Sequence, residues 1–318
     1  MKLRALSFAV LSLTLAVTAC KKDAKEDDNT STVDLETRVT THADDQNRVS
    51  NEMDAVDNDV NSYLEESGAF GREQDVMAPP CNTTVSFDST QAVRRMTITF
   101  SGNNCANTHA RTGSIVATIP LQQRWRDSGA VVTETINNLR ITRLSDNKSL
   151  TINGTRTLTN ATGGRIASLF MPGPGGRNVV RHRIDGSMTV TFDNNTQRQW
   201  SVARQREFAR SQQDSLVITV TGTHTDGQTT GIAEWGTNRF GASFSTQIVE
   251  PLRFAQSCHF RLGAGKVQHN GVGATTVVTY GLNAQGAPTG CPGANPYYFK
   301  AVWTGAGGNT QTVIRPYF

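Results

Sequence analysis

The chain has 318 residues, of which 36% are hydrophobic and 18% charged, with a formal net charge of +4. After the N-terminal segment no apolar run approaches ~18 residues, which excludes a polytopic helical membrane protein. Five cysteines and 28 glycines, in a chain rich in Thr, Asn and Arg, fit an exported β-rich protein with many turns.

Met1-Lys2-Leu3-Arg4 is a short positive segment, and Ala5 to Ala16 is an apolar run. That run is too short to span a bilayer and suits a secretory signal. It ends in Val17-Thr18-Ala19-Cys20, which resembles a bacterial lipobox. The resemblance implies removal of residues 1–19 and acylation of Cys20, with the acyl chains as the membrane partner. An ordinary signal peptide with a chance cysteine is the alternative. The segment after Cys20, Lys21-Lys22-Asp23-Ala24-Lys25-Glu26-Asp27-Asp28, also resembles the surface-export signal of Bacteroidota lipoproteins. It implies an outer-membrane protein facing outside, the periplasmic face being the alternative. Residues 20–42 hold too few apolar side chains to offset the entropy of ordering and are expected to be a disordered tether.

Residues 43–68 carry a different pattern. Val49, Met53, Val56, Val60 and Tyr63 follow at steps of 4, 3, 4 and 3, one face of an amphipathic helix. Thr41 with Asp44 offers a start cap and Gly68 a stop. The residues between are mostly Asp, Glu and Asn, so the expected role is a helix docked by one face on the body.

The charge is unevenly placed. Residues 21–80 hold 6 Lys+Arg against 16 Asp+Glu, a balance of −10. Residues 81–318 hold 23 Lys+Arg, 20 of them Arg, against 11 Asp+Glu, a balance of +12. An acidic leader precedes an arginine-rich body.

Residues 76–318 read as strand and turn. Met96, Ile98 and Phe100 alternate with Thr97 and Thr99, and further β-type runs fall at 114–119, 131–136, 150–152, 179–184, 188–192, 216–220, 244–248 and 277–280. Ser101-Gly102-Asn103-Asn104, Asn153-Gly154, Asp185-Gly186 and Asp226-Gly227 are turn material. The expected fold is all-β, an antiparallel sheet or sandwich of many short strands, with an N-terminal tether and one short helix. The Pro/Gly-rich loop at 171–178 offers a division into two related halves. Ser149–Thr157 and Val217–Thr225 are similar, and Cys81…Cys105 and Cys258…Cys291 each bracket a strand and a Gly/Asn loop.

With Cys20 lipidated, four cysteines remain, and export makes disulfides the default. Three pairings are open; the nearest-neighbour pairing, Cys81–Cys105 with Cys258–Cys291, is taken. A zinc site is the alternative, but no Cys-x-x-Cys or His-x-x-x-His spacing supports it.

Thr97-Ile98-Thr99-Phe100-Ser101-Gly102-Asn103-Asn104-Cys105, Arg111-Thr112-Gly113-Ser114-Ile115, Asn153–Asn160, and Cys258 with Gly265-Lys266-Val267 and Thr279-Tyr280-Gly281 resemble an uncharacterised group of Bacteroidota lipoproteins. The resemblance covers most of residues 81–318 and implies an all-β body with no assigned active site. The chain departs from the group at Gly290-Cys291-Pro292, where a Cys-Asp step would be expected.

No catalytic constellation emerges. The histidines His42, His109, His182, His224, His259 and His269 stand singly, with no metal-ligand spacing. No Gly-x-Ser-x-Gly, Walker loop or dinucleotide fingerprint occurs in its required context. Glu134, Asp185, Glu207 and Glu234 are the carboxylates available for glycoside hydrolysis, and Glu234 beside Trp235 is the one suggestive pair. The strongest binding signal is arginine. Arg181 and Arg183 alternate onto one strand face, and Arg204 and Arg206 follow nearby, a candidate anion site. The expectation is a lipid-anchored, non-catalytic binding or structural module without metal or cofactor. Its candidate partners are an anionic glycan, lipopolysaccharide or an envelope protein; location argues against nucleic acid. A cell-envelope carbohydrate-active enzyme and a subunit of an envelope assembly are the alternatives.

Overall fold

The computed structural model describes residues 28–66, 81–90, 92–271, 273–293, 295–304 and 308–317. It consists of one long helix and one large antiparallel sheet. The signal segment, Cys20 and Gly68 lie outside the described residues.

Helix α1 runs from Asp28 to Glu66, 39 residues and about 58 Å at 1.5 Å per residue. It starts well before the expected residue 43, inside the segment expected to be a disordered tether, and Thr41 lies within it rather than at its start. Val39 and His42, ahead of the expected start, are buried in the core. Val49, Met53, Val56, Val60 and Tyr63 are buried as expected, but so are Asp45, Gln46, Asn47, Glu52, Asp54, Asp57 and Asn61. From Asp45 to Asn61 no residue is exposed. A helix buried all round is ordinarily apolar. This one is polar, and what surrounds it must supply the partners.

The surround is a meander: β1 (Thr83–Ser89), β2 (Val93–Asn103), β3 (His109–Pro120), β4 (Ala130–Arg143), β5 (Ser149–Asn160), β6 (Val179–Phe192) and β7 (Gln197–Arg210) pair in sequence. The next slot is shared. β8 (Leu216–Gly222) pairs with the second half of β7, and β10 (Thr229–Thr237) pairs with its first half. Both then pair with β11 (Ser243–Ala255). Between them the chain leaves the sheet as a small hairpin containing β9 (His224–Asp226). The exit needs glycine: a Cβ on Gly222 would sit 2.1 Å from the Gly231 carbonyl oxygen. β12 (Leu262–Gly271), β13 (Ala274–Leu282), β14 (Tyr297–Thr304) and β15 (Thr310–Tyr317) complete the meander.

This single sheet curls around α1. Side chains from β3, β5, β7, β10 and β13 all reach the helix, and its apolar residues join two clusters. One holds Val49 to Leu64 with β2 to β7, and the other Val39 with β6 to β8 and β11 to β15. The sheet is therefore not half of a sandwich; the helix fills its concave side. The 171–178 loop does not divide it, because β5 and β6 pair continuously from Leu150↔Phe192 to Asn160↔His182 on either side of that loop. Asn153-Gly154 and Asp185-Gly186, expected as turns, lie inside β5 and β6. The cysteines pair as Cys81–Cys105 and Cys258–Cys291, each with Cα atoms 5.0 Å apart.

Candidate functional site

Alternation along β7 sorts its arginines. Arg198, Arg204 and Arg206 point inward with Trp200 and Phe208, while Gln199, Gln205 and Glu207 point outward. Inside, the arginines meet the acids of α1. Arg204 pairs with Asp54 at 3.2 Å and contacts Glu234, Arg206 reaches Asn58, and Arg198 bonds Gln46. On β3, Arg111 pairs with Asp59 at 2.7 Å; on β5, Arg156 pairs with Asp57 and with Glu134. Arg239, after β10, pairs with Asp45, and His109 lies 2.8 Å from Glu52. The acidic leader and the basic body are two halves of one internal ion-pair ladder.

The four arginines proposed as an anion site are thus not brought together. Arg204 and Arg206 are buried against the helix. Arg181 and Arg183 are on the outer face of β6 and are occupied, by Glu207 at 2.8 Å and Asp185 at 3.5 Å. The glycosidase pair is separated as well. Glu234 is 1% exposed and accepts from Ser50 of the helix, whereas Glu207 is on the outer face with Arg181, so the two cannot flank one bond.

Three histidines are internal: His42, His182 and His269. Burial pushes their pKa values down to about 2, about 3 and about 3, and neighbouring positive charge adds to this. Burial also pulls the Arg198 guanidinium down to about 9. Among the described residues no group of His, Cys, Asp or Glu is arranged to hold a metal ion.

A void of about 20 Å³ beside Asn47, Glu234, His269 and Tyr280 has room for one water. The helix takes the space that a ligand would use. The larger cavity, about 510 Å³, lies where α1 enters the sheet. One wall is apolar: Phe299 and Ala301 of β14 with Val313 and Pro316 of β15. The other carries charge: Arg48 from the helix, Arg143 and Lys148 from the β4–β5 turn, Arg239 and Arg315, against Asp44, Asp45 and Asp193. Arg239 is committed to Asp45 and Arg143 to Asp146. Arg48, Lys148 and Arg315 form no ion pair among the described residues. Burial, and then repulsion from Arg143, lowers the pKa of Arg48, so an incoming anion would relieve a partly desolvated cation. The sequence offered little sign of this cluster, because its members lie on elements far apart in the chain.

Compared with known proteins, the chain matches no family model, no curated protein and no solved structure.

Proposed function

We propose that this chain is a lipid-anchored, non-catalytic binding module of the cell envelope, held in the outer membrane by acyl chains on Cys20 and facing outside. The lipobox, the acidic export-like segment and the resemblance to Bacteroidota lipoproteins support the location. Seven residues separate Cys20 from the start of α1, so the anchor is at most about 28 Å from the helix. On this reading the entrance end of the body faces the membrane.

The observation that carries the binding reading is the entrance cavity, where Arg48, Lys148 and Arg315 form no ion pair among the described residues and Arg48 donates to the Lys148 carbonyl. The occupant is a phosphate- or carboxylate-bearing glycan of the envelope, lipopolysaccharide included. Its charged groups meet the cations and its carbon skeleton the Phe299–Val313 wall. Pull-down with lipopolysaccharide and with an acidic polysaccharide, across a salt titration, tests it. Binding at low salt should weaken as salt rises, and a Lys148→Ala/Arg315→Ala double variant should bind roughly tenfold less tightly. Absence of binding at low salt, or a variant that binds like the parent, would sink the proposal.

A further inference from the structure

The outer face of the sheet holds a second candidate site, with different chemistry. Cross-strand register lines up Thr155, Ser187, Ser201, Trp235, Ser245 and Asn270 in one row over β5, β6, β7, β10, β11 and β12. Five members are small and polar, and the sixth is a tryptophan. The other three tryptophans, Trp125, Trp200 and Trp303, are at most 3% exposed. Trp235 is half-buried, and its inward-pointing neighbour is Glu234. The indole lies stacked on the His224 ring, centroids 4.0 Å apart and planes at 17°. His224 belongs to β9, which pairs with β10 alone, and residues 225–230 at the tip of that hairpin are all exposed.

We propose that this row binds a neutral glycan. A sugar ring presents an apolar C–H face and a rim of hydroxyls. With His224 stacked on one face of the indole, it is the other face that would meet the first. The hydroxyls of Ser201 and Ser245, which can donate and accept, match the second, as does the Asn270 amide NH2 as a donor, its Oδ1 already accepting from Gln268 and Thr275. The Ser187 and Ser201 hydroxyls are hydrogen-bonded to each other at 2.9 Å, and either can be the donor. The row carries no charged side chain, so an anion gains nothing there. At ~4.8 Å per strand, Ser187 to Asn270 spans about 19 Å, long enough for several linked sugars.

Affinity electrophoresis of the full chain in detergent, through native gels containing laminarin, xylan, dextran or yeast mannan, tests the proposal. At least one polymer should retard the protein, and the retardation should persist at about 1 M salt, where charge effects are screened beyond ~3 Å. Trp235→Ala should weaken it roughly tenfold or more, and Trp235→Phe should restore part of it. If Trp235→Ala does not fold, Ser201→Glu, which places a charge in the row, takes its role. No retardation in any gel, or equal retardation of parent, Trp235→Ala and Ser201→Glu, overturns the proposal. Retardation abolished by salt also overturns it and points to the entrance cavity instead.

Discussion

Arg156 shows how the interior is balanced. It is 3% exposed and lies between Asp57 of the helix and Glu134 of β4. Burial opposes its charge, but the two carboxylates more than compensate and raise its pKa. Removing Arg156 leaves Glu134 buried without its partner and Asp57 with only Arg206 at 4.0 Å, a loss on the order of 3–5 kcal/mol. Arg156→Met should therefore lower stability by about that amount in urea denaturation, while Arg156→Met/Asp57→Leu/Glu134→Leu should recover most of the loss. His182, between Trp125 and Phe208, sets a pH dependence. Its folded pKa, about 3, is below the ordinary histidine value of 6.5, so between those values the unfolded chain binds the proton and the folded one does not. Its contribution is complete above pH 6.5 and falls as pH drops toward 3, by at most about 1.4 kcal/mol per unit. Denaturation midpoints measured from pH 7 to pH 4 should fall less steeply in His182→Phe than in the parent.

At the level of elements, α1 stabilises the sheet as much as the sheet stabilises α1. Met53 is 1% exposed within the cluster shared with β2 to β7. Met53→Ala should cost about 2–5 kcal/mol, and thermal unfolding followed at sheet and helix wavelengths should show both lost together. An early loss of helix alone would contradict this packing. The same helix explains what could be read in advance. The steps Val49, Met53, Val56, Val60 and Tyr63 were legible because apolar periodicity is a local signal. The burial of its polar face was not, since Asp45, Asn47 and Asp54 have the composition of a solvated face and are buried only because Arg239, Tyr280 and Arg204 on distant strands and loops meet them. Glycine misled in a similar way. Asn153-Gly154 has the form of a turn, yet Gly154 sits mid-strand where a Cβ would lie 2.5 Å from the Ser187 carbonyl oxygen. Strand alternation does separate Glu234, inward, from Trp235, outward, but it cannot say which face is the inside.

For the whole molecule, the two disulfides secure opposite ends of the meander. Cys81–Cys105 joins the chain two residues before β1 to the β2–β3 turn, and Cys258–Cys291 joins the β11–β12 connection to the β13–β14 loop. β1 and β15 are the sheet's two edges, so each bridge restrains the chain near one of them. Cys81→Ser/Cys105→Ser should lower stability by roughly 3 kcal/mol through loop-closure entropy, read as a shift in the urea midpoint. The pairing is the nearest-neighbour one of the three that the sequence left open. The curl of the sheet was not legible, because it depends on a register repeated over many strands rather than on any one motif.

The enclosure of α1 also has a mechanical meaning. If Cys20 is the point of attachment, a pull on the anchor loads the helix along its own axis. The contacts of Asp45, Glu52, Asp54, Asp57 and Asp59 with Arg239, His109, Arg204, Arg156 and Arg111 then share the load in shear, rather than parting one after another as a peeled edge strand would.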